Sequence, residues 1–337
     1  MSQTPRHIFR WDLDKTYLRT DFDSFRGLLR AALENATDKR AVPGAPALLR
    51  ALRAAGGIAH RICIISGSPE QMRRVLEAKL ALDGVEYDEF VLKPNLKNLL
   101  RARFRALRAQ IPYKLPALLA SRARVAAPHE TLFGDDAESD AIVYSLYADV
   151  VAGKVPADEL ARVLTLSHAY DDQRALTMEL AAKMQPGDVV QRILIHLDRR
   201  SPTAEFERFG PRLVPVYNYF QAALVLYSDG QLGARDVLGV GREMLASGDY
   251  HVSSLANSLQ DLLRRGRLVP DIGMRLALEC QALVEKAENE FADLPKEEIA
   301  WAFAARVRAL GAIAESPAAP PGPSRLDYLA LLGAERR

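Results

Sequence analysis

The sequence predicts an α/β fold with a parallel sheet in its first half, followed by an all-helical second half. Short apolar and β-branched runs alternate with amphipathic helical patterns from His7 to about Gly153. After Pro156 the strand patterns nearly disappear, and long helical patterns follow one another. A chain of 337 residues is also long enough for two domains, each with its own core.

The first half contains four predicted strands separated by helices. The strand candidates are HIFRWD, RICIIS, EFVL and TLFGD, at residues 7–12, 61–66, 89–92 and 131–135. Apolar residues recur at intervals of three and four in the segments between them, at 22–33, 45–55 and 71–82. This alternation is typical of parallel strands connected by helices. We therefore assign residues 1–155 to an α/β domain.

Residues 156–312 are predicted to form an all-helical domain. Helical patterns cover 158–166, 173–184, 189–199, 214–228, 234–247, 252–264, 270–292 and 296–310. The prolines of ESPAAPPGPS, at 315–324, lack N–H groups and clash with a preceding helical turn. Residues 313–337 are therefore interpreted as a proline-rich linker with a short terminal helix at 326–332.

The composition, 49% hydrophobic and 26% charged residues, is that of a folded globular protein. Neither a secretory leader pattern nor an uncharged apolar run of membrane-spanning length is found. Cys63 and Cys280 lie far apart without metal-ligand spacing, which is typical of a reducing compartment, so we expect a cytoplasmic protein. The net charge of +2 and the absence of a recognised nucleic-acid motif give no reason to expect a polyanionic partner.

Residues 97–111 form a basic amphipathic pattern with arginines outside its apolar face. Such a helix could lie on an anionic membrane. Helices that cover a sheet, however, also show their charged side to water. We interpret the segment as a covering helix, and peripheral membrane contact is the less favoured alternative. The scattered His168, His196 and His251 are interpreted as packing or surface residues.

Two acidic clusters follow predicted strands. Asp12 and Asp14 stand in DLDKT after the first strand, and Asp135 and Asp136 stand in GDDAESD after the fourth. Ligands bind at the carboxyl ends of strands in open α/β sheets, so we expect these carboxylates to share one site. Alternate residues of a strand project the same way, which brings Asp12 and Asp14 together. Hard oxygen ligands of this kind suit Mg²⁺.

A third segment predicts a phosphate-binding site. The second strand ends at the Ser66 hydroxyl, and Ser68, Pro69 and Gln71 follow in the pattern of a capping box. The free N–H groups at such a helix start bind anions.

A fourth element supplies positive charge. Lys114, at the start of the helix YKLPALLASR, would offset the negative charge of the clustered aspartates. Lys93 and Lys97 are alternatives in the same basic stretch.

In order and spacing these elements resemble the four motifs of the haloacid dehalogenase (HAD) superfamily. The matches are Asp12, Asp14 and Thr16 for DxDxT, Ser66 for the hydroxyl motif, Lys114 for the lysine motif, and Asp135, Asp136 and Asp140 for GDDxxxD. Residues 5–153 are also similar to a phosphatidate phosphatase catalytic domain, through SxSP at 66–69, LK at 92–93 and GD(S/D)xxxD at 134–140. Asp136 departs from the serine common in that family, so a lipid substrate does not follow.

The resemblance implies a Rossmann-like sheet and an Mg²⁺-dependent phosphatase acting on a phosphorylated substrate. Asp12 would attack phosphorus, and Asp14 would protonate the leaving oxygen and then activate water. Ser66 and Lys114, with Thr16 and Gly67, would bind the phosphoryl group. The metal ligands would be Asp12, the Asp14 carbonyl and Asp135, and Asp136 and Asp140 would be second-site or orienting ligands.

Short segments between the predicted strands leave no room for a large cap domain. An uncovered site is typical of a large substrate, such as a lipid head group, a protein or a nucleic-acid end. We expect the helical half to lie near the strand ends and to select that substrate. The alternatives are a non-catalytic regulatory or binding protein on the same scaffold, and a phosphotransferase that uses the same aspartates but excludes water. The sequence gives no oligomeric state.

Overall fold

The computed structural model describes residues 5–19, 40–93, 110–268, 270–286 and 325–334, with single positions 298, 302 and 305. Its centre is a six-stranded, all-parallel sheet in the order β3-β2-β1-β4-β5-β6. The strands are β1 (His7–Trp11), β2 (His60–Pro69), β3 (Glu89–Lys93), β4 (His129–Asp135), β5 (Val190–His196) and β6 (Leu213–Val216).

The central strand β1 pairs with β2 on one side and with β4 on the other. At its carboxyl end, Trp11 lies opposite Ile64 of β2 and Phe133 of β4. Every residue of β1 is buried, as expected where helices cover both faces of a parallel sheet. The strand order reverses between β1 and β4, and such a switch point is where open α/β sheets bind ligands.

Helices flank the sheet, and further helices follow it in the chain. They are α1 (Ala45–Gly56), α2 (Arg73–Leu82), α3 (Ile111–Arg124), α4 (Asp140–Val151), α5 (Ala157–Leu166), α6 (Asp171–Ala182), α7 (Tyr219–Ser228), α8 (Ala234–Ala246), α9 (Val252–Arg264), α10 (Pro270–Lys286) and α11 (Tyr328–Ala334). All twelve residues of α4 are buried, because its apolar side chains face in every direction. No helix in the described part of the chain combines the length and apolar character that crossing a bilayer requires.

Much of the predicted secondary structure is confirmed. All four predicted strands of the first half form, and helices occur at the predicted positions of α1, α5, α8 and α9. The terminal helix also forms and packs back on the sheet domain, since the buried Tyr328 hydroxyl donates to Asp149 Oδ2 at 2.6 Å. The predicted helix at 22–33 and nearly all of the basic pattern at 97–111 lie outside the described residues, as do parts of the segments on which the prediction of no large cap depends.

The prediction that residues 156–312 are entirely helical is wrong at two places. Residues 190–196 and 213–216 form strands β5 and β6. Val190, Ile193, Leu194 and Leu197 have helical spacing, but a strand buried on both faces also reads as a continuous apolar run. Periodicity alone does not separate these two cases. The sheet therefore gains two strands from the half predicted to be helical.

The chain divides into two units. The first comprises residues 1–42, 58–215 and 322–337 and contains the sheet up to Pro215, while the second comprises residues 43–57 and 216–321. The predicted boundary at 155–156 lies inside the first unit. There α5 contributes Leu160 and Val163 to the same hydrophobic core as α3, α4 and β5. The site described below lies within this first unit.

Candidate active site

Asp12 directly follows β1 at the switch point of the sheet. Its backbone N–H donates to the Phe133 carbonyl at 2.9 Å, which extends the pairing of β1 with β4 by one residue. The side chain is completely buried. Thr16 Oγ1 lies 3.3 Å from Oδ2, and Lys114 Nζ lies 2.9 Å from Oδ1. That last contact is an ion pair without hydrogen-bond alignment, so Oδ1 accepts no hydrogen bond from the described residues.

A tight turn after Asp12 brings Thr16 back to the strand ends. The N–H groups of Tyr17 and Leu18 both donate to the Leu13 carbonyl at 2.9 Å, and Lys15 adopts a left-handed conformation with φ of 58°. Thr16 Oγ1 thereby lies 3.2 Å from Asp135 Oδ2 as well as close to Asp12. The threonine hydroxyl connects the acids at the ends of β1 and β4.

Asp14 is held by two serines of β2. Ser66 Oγ donates to Asp14 Oδ2 at 3.0 Å, and Ser68 Oγ donates to the same oxygen at 2.6 Å. The other oxygen, Oδ1, is buried and accepts no hydrogen bond from the described residues. Gly67 lies between the two serines near the end of β2. Tyr113 fixes this segment further, since its hydroxyl donates to the Ser66 carbonyl at 2.7 Å.

The predicted capping box at Ser68 is wrong. Strand β2 continues to Pro69, a 3₁₀ turn covers Glu70–Met72, and α2 begins only at Arg73 with no side-chain cap. The Ser68 hydroxyl donates to Asp14 Oδ2, and such a hydrogen bond is strong when the carboxylate is ionised. Ser68 therefore belongs to the site and not to a helix cap, contrary to the prediction.

Lys114 lies in the first turn of α3 and is completely buried. Its Nζ is 2.9 Å from Asp12 Oδ1, 3.0 Å from Glu138 Oε2 and 2.5 Å from Asp140 Oδ1. Burial lowers the pKa of Lys114, but the charges of these acids outweigh burial and raise the pKa well above its usual value. Lys93, by contrast, ends β3 with its Nζ 5.6 Å from the centre of the Tyr113 ring, and Lys97 lies outside the described residues.

The acidic loop after β4 is built around Asp135. Its Oδ1 accepts from the N–H groups of Ala137 at 2.7 Å and Glu138 at 3.0 Å, and its own N–H donates to Asp140 Oδ2 at 3.3 Å. Gly134 is required here, because a Cβ at that position would overlap the Asp140 carboxylate. Asp140 thus holds both the loop and Lys114, in keeping with an orienting role.

Asp136 points away from this group. Its Oδ1 accepts from the Arg199 N–H at 2.8 Å and its Oδ2 from the Ser201 N–H at 2.9 Å, so both oxygens hold the loop after β5. The group that could hold a metal ion consists of Asp12, Asp135, Glu138 and Asp140, whose ligand atoms lie within 4.8 Å of one another. The predicted ligand Asp136 is not part of this group, whereas the Asp14 backbone carbonyl, which is not a side-chain donor, stays a prediction. Glu138 was missed, although it stands three residues after Asp135 in the same loop.

The site has more negative charge than its own residues compensate. Five acidic side chains, those of Asp12, Asp14, Asp135, Glu138 and Asp140, lie in the site, and Lys114 forms ion pairs with three of them. Burial, and then the neighbouring acids, raise the pKa values of Asp12 and Asp135 well above the usual range. Burial also raises the pKa values of Asp14 and Asp140 to about 6. A divalent cation would stabilise the ionised forms of these groups.

No family model, no curated protein and no solved structure matches this chain. The fold and the site together define an α/β protein with a buried, acid-rich group at the switch point of a parallel sheet, and that group could hold a metal ion.

Proposed function

We propose that this chain is an Mg²⁺-dependent phosphatase of the HAD type, which hydrolyses a phosphomonoester through an aspartyl phosphate on Asp12. One observation carries the proposal. Asp12 and Asp14 are buried in one loop at the switch point, and each has a carboxylate oxygen that accepts no hydrogen bond from the described residues. An unsatisfied buried acceptor such as Asp14 Oδ1 costs about 1–3 kcal/mol, and Asp12 Oδ1 has only its ion pair with Lys114, so the two acids favour a site that a substrate or an ion completes.

Asp12 would act as the nucleophile. Its carboxylate oxygen forms a bond to phosphorus while the bond from phosphorus to the leaving oxygen breaks. Lys114, whose Nζ lies 2.9 Å from Asp12 Oδ1, would stabilise the negative charge on the transferring phosphoryl group. Ser66, near the carboxyl end of β2, would contact the same group from the neighbouring strand.

Asp14 would be the general acid and then the general base. It donates a proton to the leaving oxygen, and afterwards takes a proton from the water that attacks the aspartyl phosphate and releases inorganic phosphate. Burial raises the pKa of Asp14 to about 6, although the hydrogen bonds from Ser68 and Ser66 oppose this rise. A pKa near the working pH favours proton transfer in both directions.

The donor set fits magnesium. Asp12 and Asp135 would hold the ion, because their Oδ2 atoms face the same Thr16 hydroxyl at 3.3 and 3.2 Å, and Glu138 lies within reach of both. Bound there, Mg²⁺ would neutralise charge on the phosphoryl oxygens and orient them. Asp136 is not proposed as a ligand, since its two oxygens hold backbone N–H groups of another loop.

The strand order also suits a dinucleotide-binding protein, whose glycine-rich turn after the first strand approaches the pyrophosphate. Here the turn after β1 is Asp12–Thr16, which contains no glycine and two carboxylates. Those charges would repel a pyrophosphate held directly against the turn. The residues of the turn therefore favour the phosphatase.

A phosphatase screen tests the proposal. Wild-type protein is incubated with small phosphomonoesters, phosphatidate and phosphopeptides, with Mg²⁺ or with EDTA, and Asp12→Asn is the control. We expect phosphate release that requires Mg²⁺ and is lost in the variant, and acid-stable labelling of wild-type protein by a ³²P-phosphomonoester. Transfer to added alcohols without hydrolysis would support the phosphotransferase. No release from any substrate class would contradict the proposal and favour a non-catalytic scaffold.

A further inference from the structure

His196 is the last residue of β5 and lies opposite Asp135 in the sheet register. Its side chain is buried, with 9% of its surface exposed. The residue contacts both acidic loops of the site: its Nδ1 lies 3.2 Å from the Lys15 carbonyl oxygen, and its own carbonyl accepts from the Asp136 N–H at 3.0 Å. The sequence pattern predicted a packing or surface residue here, because His196 stands in a segment predicted to be a helix.

The contact with Lys15 defines which nitrogen of His196 carries a hydrogen. A carbonyl oxygen can only accept, so the hydrogen must be on Nδ1. Lys15 is in the left-handed region at φ of 58°, which costs a residue with a side chain about 1–3 kcal/mol unless its surroundings hold it. The hydrogen bond from His196 is one contact that holds the Lys15 carbonyl in this direction.

The Lys15 carbonyl belongs to the peptide that leads into Thr16. Its direction therefore sets where the Thr16 hydroxyl lies, and that hydroxyl is 3.3 Å from Asp12 Oδ2 and 3.2 Å from Asp135 Oδ2. A change in this one peptide would move the hydroxyl relative to both carboxylates.

We propose that His196 is a positioning residue for the site, which acts through the Lys15 carbonyl to set the spacing of Thr16, Asp12 and Asp135. It contacts neither substrate nor metal in this role. The activity readout of the inference rests on the phosphatase function proposed above. A displacement of about 1 Å at reacting groups can cost about a hundredfold in rate, so a distant hydrogen bond can have a measurable effect.

Three substitutions separate this role from general packing. In His196→Asn the side-chain amide nitrogen can occupy the position of Nδ1, whereas in His196→Gln it reaches only the position of Nε2. His196→Leu fills space without a donor. We expect kcat to fall about 10- to 100-fold in the Leu and Gln variants with KM changed less than about twofold, and the Asn variant to recover to within about threefold of wild type.

The same proteins are melted with and without Mg²⁺, which gives a readout that does not depend on activity. We expect the Mg²⁺-induced rise in Tm to shrink in the Leu and Gln variants and to persist in Asn, because the spacing of Asp12 and Asp135 is what changes. Equal behaviour of the Asn and Leu variants in this measurement would overturn the inference. If wild-type protein releases no phosphate, the proposed function fails, and the Tm series still decides the role of His196.

Discussion

Two buried charged networks lie in the same sheet, and they differ in whether their charges are satisfied. In the first, Arg10 donates to both oxygens of Glu130, at 2.7 and 3.1 Å, and to Ser121 Oγ at 2.7 Å. Arg122 and Tyr147 each add a hydrogen bond to Glu130, at 2.5 and 2.7 Å. We call these five residues the Arg10 network. In the candidate active site, which begins at Asp12 just after β1, the acids outnumber the cation of Lys114, which three of them contact.

The pKa values of the acids differ accordingly. Burial would raise the pKa of Glu130, but the charges and hydrogen bonds of Arg10 and Arg122 outweigh it, so the pKa is lowered. Burial raises the pKa of Asp12 well above its usual value, and Lys114 does not reverse this. A buried charge that is fully paired stabilises one structure, whereas a buried excess of like charges needs a ligand. The Arg10 network is therefore a structural feature, and the excess charge of the site supports the proposed ligand-binding role.

The largest expected effect is the loss of activity in Asp12→Asn. Removal of a nucleophile lowers kcat by about 10⁴-fold or more. The free energy of unfolding should be unchanged or higher, because the substitution removes one of the excess negative charges from a buried site. Phosphate release and urea unfolding are measured on the same preparation. Near-normal turnover of the variant would show that Asp12 is not the nucleophile.

The Arg10 network should show the opposite result. Glu130→Ala leaves Arg10 buried without its partner, which should cost about 3–5 kcal/mol of unfolding free energy. The activity per folded molecule should change little. Glu179→Ala, which breaks the exposed pair with Lys183, is the control and should leave the free energy of unfolding nearly unchanged. Should Glu130→Ala fail to fold, Glu130→Gln keeps part of the hydrogen bonding and gives a smaller loss in the same direction.

Magnesium should stabilise the protein through the site alone. At about 10 mM Mg²⁺ and an affinity of roughly 1 mM, binding to the native state adds about 1.4 kcal/mol to the free energy of unfolding. Asp135→Asn should abolish this increment. Asp136→Asn is the matched control, because it changes the neighbouring carboxylate that holds the Arg199 and Ser201 N–H groups instead, and it should keep the increment. Equal Mg²⁺ effects in the two variants would contradict the ligand assignment.

The sequence predicted four of the six strands and the acids at the ends of β1 and β4, because local patterns at strand ends carry that information. It failed at β5, where residues buried on both faces of the sheet have the spacing of a helix. It also failed at Ser68 and Asp136, because their hydrogen-bond partners are distant in sequence. Ser68 donates to Asp14, and Asp136 accepts from the loop after β5. Glu138 could have been found, because it stands in the same acidic loop as Asp135. The positions of the acidic residues were therefore predictable from sequence, and their hydrogen-bond partners were not.

The amino ends of the same strands offer a third environment, in which a titratable group is buried without charge. His7 lies between His60 of β2 and His129 of β4 in the sheet register. Its Nε2 lies 2.9 Å from Thr131 Oγ1, and its Nδ1 has no hydrogen-bond partner among the described residues. Burial, and then the charges of His60 and His129, lower the pKa of His7 to about 3.

The smallest expected effect is therefore a pH dependence of stability that originates at His7. Unfolded histidine titrates near 6.5, so below that pH the unfolded state binds a proton that the native state does not bind. Stability from this residue is complete above the unfolded pKa and is lost as the pH falls towards about 3. Between pH 6.5 and 5.5 the loss is about 1 kcal/mol.

The variant His7→Gln tests this, because it can keep the contact with Thr131 and does not titrate. Over that pH interval, its free energy of unfolding in urea should fall by about 1 kcal/mol less than that of wild type. If the stability of the variant depended on pH as strongly as that of wild type, the sheet would have to accept a charged His7. Burial would then exclude charge less strictly at His7 than the raised pKa values of Asp12 and Asp135 indicate for the site.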